Sequence, residues 1–236
     1  YPAVEIGIAA SQLPLQEVEH SKVDHAALHV CQDFDALIAA TRGSIYYAPL
    51  LHLRPEEEGA LPDYTTTESL LKSTYYAYIY RIIHKSYTGQ TKQVLLKSYG
   101  MEVDMLNILH ILRLKQFFPD EHEYFSVLFP YHYRLKPEMI QALCAAPDLG
   151  ATIRLLEDTP YGPVFAGMTL RQMEIEYRRR MYAFHKHQLA MGRPSVYLAV
   201  AYLDLKELER QALVNVIGSV NYGIPFDSTV IDQIGE

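Results

Sequence analysis

Residues 102–115 read EVDMLNILHILRLK, and this stretch decides the fold of the chain. Met105, Ile108 and Leu112 recur at helical spacing, and further apolar residues occupy the neighbouring face. A helix that is apolar over so wide an arc is buried on more than one side. Buried polar groups need partners, so we predict that its polar residues join a hydrogen-bond network between helices, with contact to another protein as the alternative. These polar residues are Asp104, Asn107, Arg113 and Lys115.

A weaker second copy of this stretch lies 105 residues further along the chain. Residues 207–220 read ELERQALVNVIGSV and align with residues 102–115 without a gap. Drifting similarity of this kind preserves packing positions, whereas an active site needs one unique constellation, so the repeat indicates a scaffold. The aligned acidic pairs are Glu102 with Glu207 and Asp104 with Glu209.

Another repeated segment joins DALIAATRGSIYYAPL, residues 35–50, to GATIRLLEDTPYGPVF, residues 150–165. Both copies predict a helix, a polar turn and a tyrosine that opens the next helix. A hydroxyl side chain in each turn is a predicted helix N-cap. A further match pairs Gly89 with Gly192, and each glycine is predicted to end a long helix. The pairs aligned at an offset of 115 are Asp33 with Asp148, Ser44 with Thr159, and Tyr46 with Tyr161.

The helical pattern continues through most of the chain, so we predict an all-α fold made of repeated helical units. Each unit is a short helical pair followed by a long antiparallel helical hairpin. The predicted units cover residues 20–118 and 131–236, with a linker at 119–130 and an N-terminal remnant at 1–19.

Spacings of three and four residues predict the buried faces of two more helices. The earlier helix precedes Gly89, and the later one runs from Leu170 to Ala190. A last long helix is predicted from Ser195 onwards. The predicted inward residues are Leu71, Tyr75, Tyr78 and Ile82 in the earlier helix, and Met173, Tyr177, Met181 and either Phe184 or His185 in the later one.

The composition is that of an ordinary globular protein. The chain has 236 residues, 49% hydrophobic and 21% charged, which excludes a disordered or low-complexity chain. Its formal net charge of −7 argues against general nucleic-acid binding. Cys31 and Cys144 are predicted to be reduced thiols of a cytoplasmic protein. No stretch approaches the ~20 apolar residues that span a bilayer, so we predict no transmembrane segment.

No sequence motif for catalysis is present. The phosphate-binding loop, the nucleophile elbow, the H-E-x-x-H zinc motif and the dinucleotide-binding fingerprint are all missing from the sequence. The segment TGQTK at residues 88–92 has a single glycine, too few for a phosphate loop. We therefore predict no catalytic residues and no cofactor.

Clustered histidines are the one metal-site candidate. His20, His25 and His29 could bind Zn²⁺ if Asp24 or Glu19 supplied a third ligand. The acids lie on other faces, however, so surface histidines before a helix are the favoured interpretation, and no metal is predicted.

Two charged runs also have structural explanations. The run DEHEY at residues 120–124 fits a solvated helix start, where acids face the positive end of the helix dipole. The run Arg178–Arg180, followed by basic residues at 185–187, spreads around the circumference of a helix and makes no single stripe. A solvated face or an acidic protein partner is favoured over nucleic acid.

Together these motifs resemble the C-type subunits of the V/A-type rotary ATPases, whose eukaryotic relatives are called d subunits. The family pattern ExDxxNLxxILRxK is matched by residues 102–115, with Ile108 in place of the first leucine. LLEDTPY at residues 155–161 is a family motif, and YYAPL at residues 46–50 resembles the bacterial branch. Residues 202–225 resemble the C-terminal family pattern KExExRNLxxIxRGKxYG. That last segment departs from the family at Ala212, Gly218 and Val220, which replace Asn, Arg and Lys.

The resemblance implies an all-α connector without catalytic residues. A protein of this family sits on the cytoplasmic end of the membrane rotor ring, receives the foot of the central shaft, and couples ATP hydrolysis or synthesis to H⁺ or Na⁺ movement. The family has three helical units around a pseudo-threefold axis, and this chain matches two of them. The residues that it marks as structural or partner-contact candidates are Tyr46, Asp104, Asn107, Arg113, Lys115, Tyr161, Glu207 and Glu209.

Two other functions stay open at this point. A free-standing α-helical adaptor derived from the family is the alternative, and the three departures in the second copy favour it. An all-α enzyme or metal protein that uses the histidines is a third hypothesis.

Overall fold

The computed structural model describes residues 21–57, 59–118, 128–191 and 195–223. These residues form ten helices and no strand, so the predicted all-α fold is confirmed. None of the ten is long and apolar enough to cross a membrane. In chain order they are α1 (His25–Val30), α2 (Phe34–Ala40), α3 (Tyr47–His52), α4 (Tyr64–Ser86), α5 (Gly89–Phe117), α6 (Pro137–Ala145), α7 (Leu149–Glu157), α8 (Gly162–Phe165), α9 (Leu170–Met191) and α10 (Val196–Tyr222).

Several predictions concern residues outside the described ranges. They are the remnant at residues 1–19, most of the linker at 119–130, Glu19, His20, the acidic run at 120–124 and Gly192.

The chain divides into two compact units, Tyr1–Ile82 with Phe125–Pro130, and Ile83–Tyr124 with Tyr131–Glu236. The predicted repeat boundaries at residues 118 and 131 stay a prediction, because a repeat in sequence need not coincide with a compact unit. The predicted first hairpin, α4 with α5, extends over both units and stays a prediction as well.

The described part of the first unit has a small core formed by α2 and α3, with Leu71 of α4 packed against it. Phe34, Ile38 and Leu50 are buried, and Tyr46 packs against them half-buried. Asp33 begins α2, since its carboxylate accepts a hydrogen bond from the amide of Ala36 at 2.7 Å.

Helix α4 buries a different face from the predicted one. Tyr75 is 39% exposed, whereas Tyr76 and Ile83 are 5% and 2% exposed. Tyrosines recur on several faces of this helix, and each can pack its ring while keeping its hydroxyl in water, so spacing did not distinguish the buried face. The other predicted inward residues, Leu71, Tyr78 and Ile82, are half-buried.

In the second unit, the 29-residue helix α5 is buried on several sides by α6, α7, α9 and α10. The prediction from its apolar pattern is confirmed, because Met105, Ile108 and Leu112 are no more than 3% exposed. Helices α9 and α10 pack against each other. Of the predicted inward residues of α9, Met173, Met181 and His185 are buried, and Tyr177 and Phe184 are half-buried.

The predicted N-caps Ser44 and Thr159 are wrong by two residues. Helices α3 and α8 have Tyr46 and Tyr161 at the N-cap position, and neither side chain makes a capping hydrogen bond. Each hydroxyl instead accepts a hydrogen bond from the amide of that tyrosine, at 3.1 Å for Ser44 and 3.2 Å for Thr159. The hydroxyl therefore shapes the turn before the helix rather than the helix start itself.

Gly89 also differs from its prediction. Helix α4 ends at Ser86, and Gly89 opens α5 with a φ of 57°, a left-handed conformation that favours glycine. Gly89 therefore lies at the turn between the two helices, but it begins the second helix instead of ending the first.

Candidate functional site

The carboxylate of Asp104 lies at the centre of the second unit, and its residue is 0% exposed. Three consecutive backbone amides of the segment before α6 donate to it. Tyr133 N lies 2.8 Å from Oδ1, while Arg134 N and Leu135 N lie 2.6 and 2.9 Å from Oδ2. Successive amides that converge in this way form an anion-binding nest.

Tyr161 supplies a fourth donor, because its hydroxyl lies 2.7 Å from Oδ2 of Asp104. Burial raises the pKa of Tyr161, and the carboxylate of Asp104 raises it further, while Arg134 opposes the rise. The phenol therefore stays protonated and keeps its donor role. All four partners donate, which suits an ionised carboxylate, whose oxygens only accept.

Gly100, one helical turn before Asp104, lets the donating segment come close to α5. A Cβ atom at this position would lie 2.6 Å from Cβ and 2.8 Å from Cγ of Tyr133. The absence of a side chain at Gly100 therefore permits the approach that brings the amides of residues 133–135 to Asp104.

Lys115 binds the C-terminal end of α6. Its Nζ donates to the carbonyl oxygen of Cys144 at 2.7 Å and to that of Ala146, and the residue is 8% exposed. The last carbonyls of a helix have no partner within the helix and carry partial negative charge, so a buried lysine satisfies them. Burial raises the pKa of the Cys144 thiol to about 11, although Lys115 opposes this, so the thiol is protonated and unreactive at neutral pH.

The other two motif residues differ in burial. Asn107 is 0% exposed, and its Nδ2 lies 3.5 Å from the carbonyl oxygen of Tyr131, just before the nest. Arg113 is half in solvent, and its Nε lies 2.8 Å from Oε1 of Glu174 on α9. Exposed ion pairs contribute little to stability, so Arg113 adds less than the buried residues.

The site therefore unites four of the eight residues that the sequence marked. Asp104, Asn107, Lys115 and Tyr161 tie α5 to the segment from residue 131 to residue 161. This arrangement can fix helices in place, and its carboxylate and lysine are occupied by internal partners rather than turned to a substrate.

Three marked residues lie elsewhere. Tyr46 belongs to the core of the first unit, where burial raises its pKa. Glu207 and Glu209 are at the surface of α10 and pair along the helix, with Arg210 at 2.7 Å and Lys206 at 2.6 Å. Although Glu209 aligns with Asp104, it does not have the environment of Asp104.

The metal and basic candidates find no support in the described residues. Among them, no three His, Cys, Asp or Glu side chains form a group that could hold a metal ion. Arg179 and Arg180 both bind the buried carboxylate of Glu176, at 2.7 and 2.6 Å. Burial alone would raise the pKa of Glu176, but the two guanidinium groups bring it below its ordinary value. Two arginines of the basic run are therefore held by one acid of their own helix, which offsets part of their charge.

One titratable pair was not predicted from the sequence. Nε2 of His185 on α9 lies 3.4 Å from Oδ2 of Asp204 on α10. Burial lowers the pKa of His185 to about 4 and raises that of Asp204 to about 6. Nearby Tyr177 has its pKa raised by burial and by the charges of Glu102 and Asp204. A hint was available in the sequence, since His185 lies at an inward position of α9.

We predict that Asp104→Asn lowers the free energy of unfolding by at least about 3 kcal/mol, because an amide NH₂ group would face donors that need an acceptor. Tyr161→Phe removes one donor of four and is expected to cost about 1–2 kcal/mol. Urea unfolding of the variants measures both values.

Asp35→Asn is the matched control for this prediction. Asp35 is 58% exposed and pairs with Arg54, so its loss is expected to change stability by about 0.5 kcal/mol or less. An Asp104→Asn variant as stable as the control would contradict a central role for the nest.

The His185–Asp204 pair predicts opposite pH effects for its two members. In Asp204→Asn, the folded pKa of His185, about 4, lies below the unfolded value of 6.5, so stability is lost as pH falls from 6.5 towards 4. In His185→Gln, the folded pKa of Asp204, about 6, lies above the unfolded value of 3.8, so stability is lost as pH rises from 3.8 through 6.

Urea midpoints of each variant, measured between pH 4.5 and 7, test this. Because His185 keeps 3% of its side-chain surface in solvent and Asp204 keeps 40%, the effect in Asp204→Asn is expected to be the larger. Parallel pH profiles for both variants would show that burial does not control this pair.

The family model of the ATP synthase (C/AC39) subunit matches residues 8–229. No curated protein and no solved structure matches the chain. The family resemblance seen in the sequence is confirmed, while membership of the bacterial branch stays a prediction. With all but the two ends of its sequence matched, the chain belongs to the family of the V-type ATP synthase (C/AC39) subunit.

Proposed function

We propose that this chain is a connector of a V/A-type rotary ATPase, which joins the central shaft to the membrane rotor ring and transmits torque between them. In this role it is a peripheral protein on the cytoplasmic side of the membrane. The family match over residues 8–229 is the observation that carries the proposal. The same connection is compatible with ion transport driven by ATP hydrolysis and with ATP synthesis driven by ion movement.

The second unit has the stiffness that a torque-transmitting part needs. Helix α5 cannot slide past the segment before α6 without breaking the hydrogen bonds that this segment donates to the buried carboxylate of Asp104. It also cannot leave α6 without exposing the end carbonyls that Lys115 satisfies. Losing partners from buried charges costs several kcal/mol, so small forces do not deform this joint.

The partner contacts are assigned to surface residues rather than to the buried motif. Glu207 and Glu209 are the candidates on α10, since their carboxylates are 49% and 43% exposed. Arg210 holds the pKa of Glu207 down at about 2, so this acid stays charged and can exchange Arg210 for a basic group of a partner. Arg113, half in solvent beside Glu174, is a further candidate.

Affinity purification from native membranes tests the proposal. A tagged form of the chain, expressed in its native organism and extracted in mild detergent, is expected to bring down rotor-ring and shaft proteins identified by mass spectrometry. Recovery of neither kind of protein would contradict a connector role.

A charge-reversal pair sharpens the same experiment. Glu207→Lys with Glu209→Lys is expected to fold normally and to recover less of the complex. The matched control reverses two exposed loop acids, Glu56→Lys with Glu57→Lys, and is expected to recover the full amount. Equal recovery from both double variants would show that the two α10 acids are not part of the interface. The connector role itself would not be contradicted by that result.

A measurement of ATP-driven ion uptake distinguishes a connector from a protein that is bound to the complex without coupling it. Membranes without the chain are expected to lose ATP-driven ion uptake, and adding back the unchanged protein is expected to restore it. Full uptake without the chain would contradict the coupling role.

A free-standing adaptor is the second candidate. The second copy carries Ala212, Gly218 and Val220 where the family pattern has Asn, Arg and Lys, so the polar anchors of the first copy do not recur. An adaptor predicts that the tagged chain brings down a partner outside any ATPase, with uptake unaffected by its loss.

A further inference from the structure

One end of the second unit carries lysines and no acid. Three segments define this end: residues 83–101, which finish α4 and begin α5, residues 184–191 at the end of α9, and residues 195–203 at the start of α10. They contain no Asp or Glu, although the whole chain has 28 of these residues and a formal net charge of −7. We call these segments the basic end. Its lysines are Lys85, Lys92, Lys97 and Lys186.

Two side-chain contacts show that the three segments meet. Nζ of Lys97 on α5 lies 5.2 Å from the ring centre of Phe184 on α9. The next residue of α9, His185, lies 3.4 Å from Asp204 on α10. Beyond these contacts, α5 and α10 each extend eight residues back to their starts, and α9 extends seven residues on to its end. At 1.5 Å per residue, each helix continues for about 10–12 Å, so the three helix ends lie at a similar level.

The positive charge of the basic end is open to solvent. Of its four lysines, three are exposed and Lys92 is half-buried. Lys97 packs on the ring of Phe184, a contact that leaves its charge in place. In the part of the chain that the structure describes, no ion pair joins Lys85 or Lys92 to an acid. A chain that is negative as a whole thus has a concentrated positive surface, which attracts an anionic partner.

Apolar side chains lie beside these charges, where α9 ends and α10 begins. Met191, the last residue of α9, is 74% exposed, while Leu189 before it and Val196 on α10 are 36% and 38% exposed. Lysines around a small apolar tip are typical of protein surfaces that lie on anionic membranes, because the charges attract lipid headgroups and the apolar side chains enter the interface. An acidic protein surface would match the charges alone and would gain little from the apolar tip.

We propose that the basic end docks on the surface of an anionic lipid bilayer. Because the chain as a whole is negative, repulsion disfavours approach by its acidic surfaces and favours approach by this end. Each lysine close to such a surface contributes about a five-fold gain in binding, so four lysines give measurable attachment, which the exposed apolar side chains strengthen. The inference rests on charge and exposure within the second unit, and it does not depend on the connector role.

Sedimentation with lipid vesicles tests the proposal on the full chain. We expect the protein to bind vesicles of phosphatidylcholine mixed with phosphatidylglycerol, and not to bind vesicles of phosphatidylcholine alone. Because salt screens exposed charges beyond about 10 Å at 0.1 M ionic strength, binding is expected to weaken as salt is added. The purified chain is used without other ATPase subunits, so a failure here is distinguishable from a failure of the connector role.

A charge-reversal pair locates the binding surface. Lys85→Glu with Lys92→Glu is expected to lower binding to the anionic vesicles at least about ten-fold. The matched control, Lys22→Glu with Lys136→Glu, makes the same change in net charge at two exposed lysines outside the basic end. It is expected to bind within about two-fold of the unchanged protein. Far-ultraviolet circular dichroism is expected to show the full helical signal for both double variants.

A tryptophan reporter shows which end of the unit meets the bilayer. The sequence contains no Trp, so Met191→Trp places a single one at the basic end. Phe118→Trp places a single one at the opposite end of α5, about 40 Å away, where the side chain is also exposed. Anionic vesicles are expected to shift the fluorescence of Met191→Trp to shorter wavelength and to leave that of Phe118→Trp unchanged.

Several outcomes would overturn the inference. The unchanged protein could fail to sediment with anionic vesicles at low salt, or it could bind neutral vesicles equally well. Equal binding by the two double variants, or a fluorescence shift in Phe118→Trp alone, would show that the basic end is not the docking surface. If the protein ignores vesicles while Lys85→Glu with Lys92→Glu lowers recovery of the complex from native membranes, the basic end binds an acidic protein and not lipid.

Discussion

The second unit depends on the buried carboxylate of Asp104. A charge without solvent is stable only when its oxygens are fully hydrogen bonded, and here three backbone amides and one phenol supply the bonds. The donors come from the segment before α6 and from the turn before α8. One side chain on α5 thus fixes two later points of the chain, residues 133–135 and residue 161, because moving either away would leave the carboxylate without a partner.

The remaining polar residues of the motif extend the same constraint along α5. Asn107 lies one turn beyond Asp104 and reaches the beginning of the donating segment, and Lys115 reaches the end of α6. Between them, apolar residues fill the core. The motif is thus a set of fixed attachment points along one helix. This explains how a family can be recognised from a few polar residues in an apolar helix.

Sequence patterns predicted the helices well, because helical periodicity is a local rule, and the need of buried polar groups for partners drew attention to Asp104, Asn107 and Lys115. Sequence patterns failed where several faces of a helix were similarly apolar and the packing partner determined which face is buried. The tyrosine-rich α4 offered several similar faces, and Tyr76 rather than Tyr75 is the buried one. The amides that bind Asp104 leave no side-chain signal in the sequence, and Gly100, which permits their close approach, was not among the residues singled out from it. The contrast between buried Asp104 and Glu209, whose side chain is 43% exposed, shows that an aligned acid need not keep its environment.

Hydrogen exchange at the amides of residues 133–135 tests the central claim most directly. If the carboxylate of Asp104 holds this segment, its amides open only when the whole unit unfolds, so they are predicted to exchange as slowly as the core amides of α5. Exchange as fast as that of the exposed loop at residues 54–57 would contradict the account, because it would show that the segment opens on its own and leaves the buried charge unpaired.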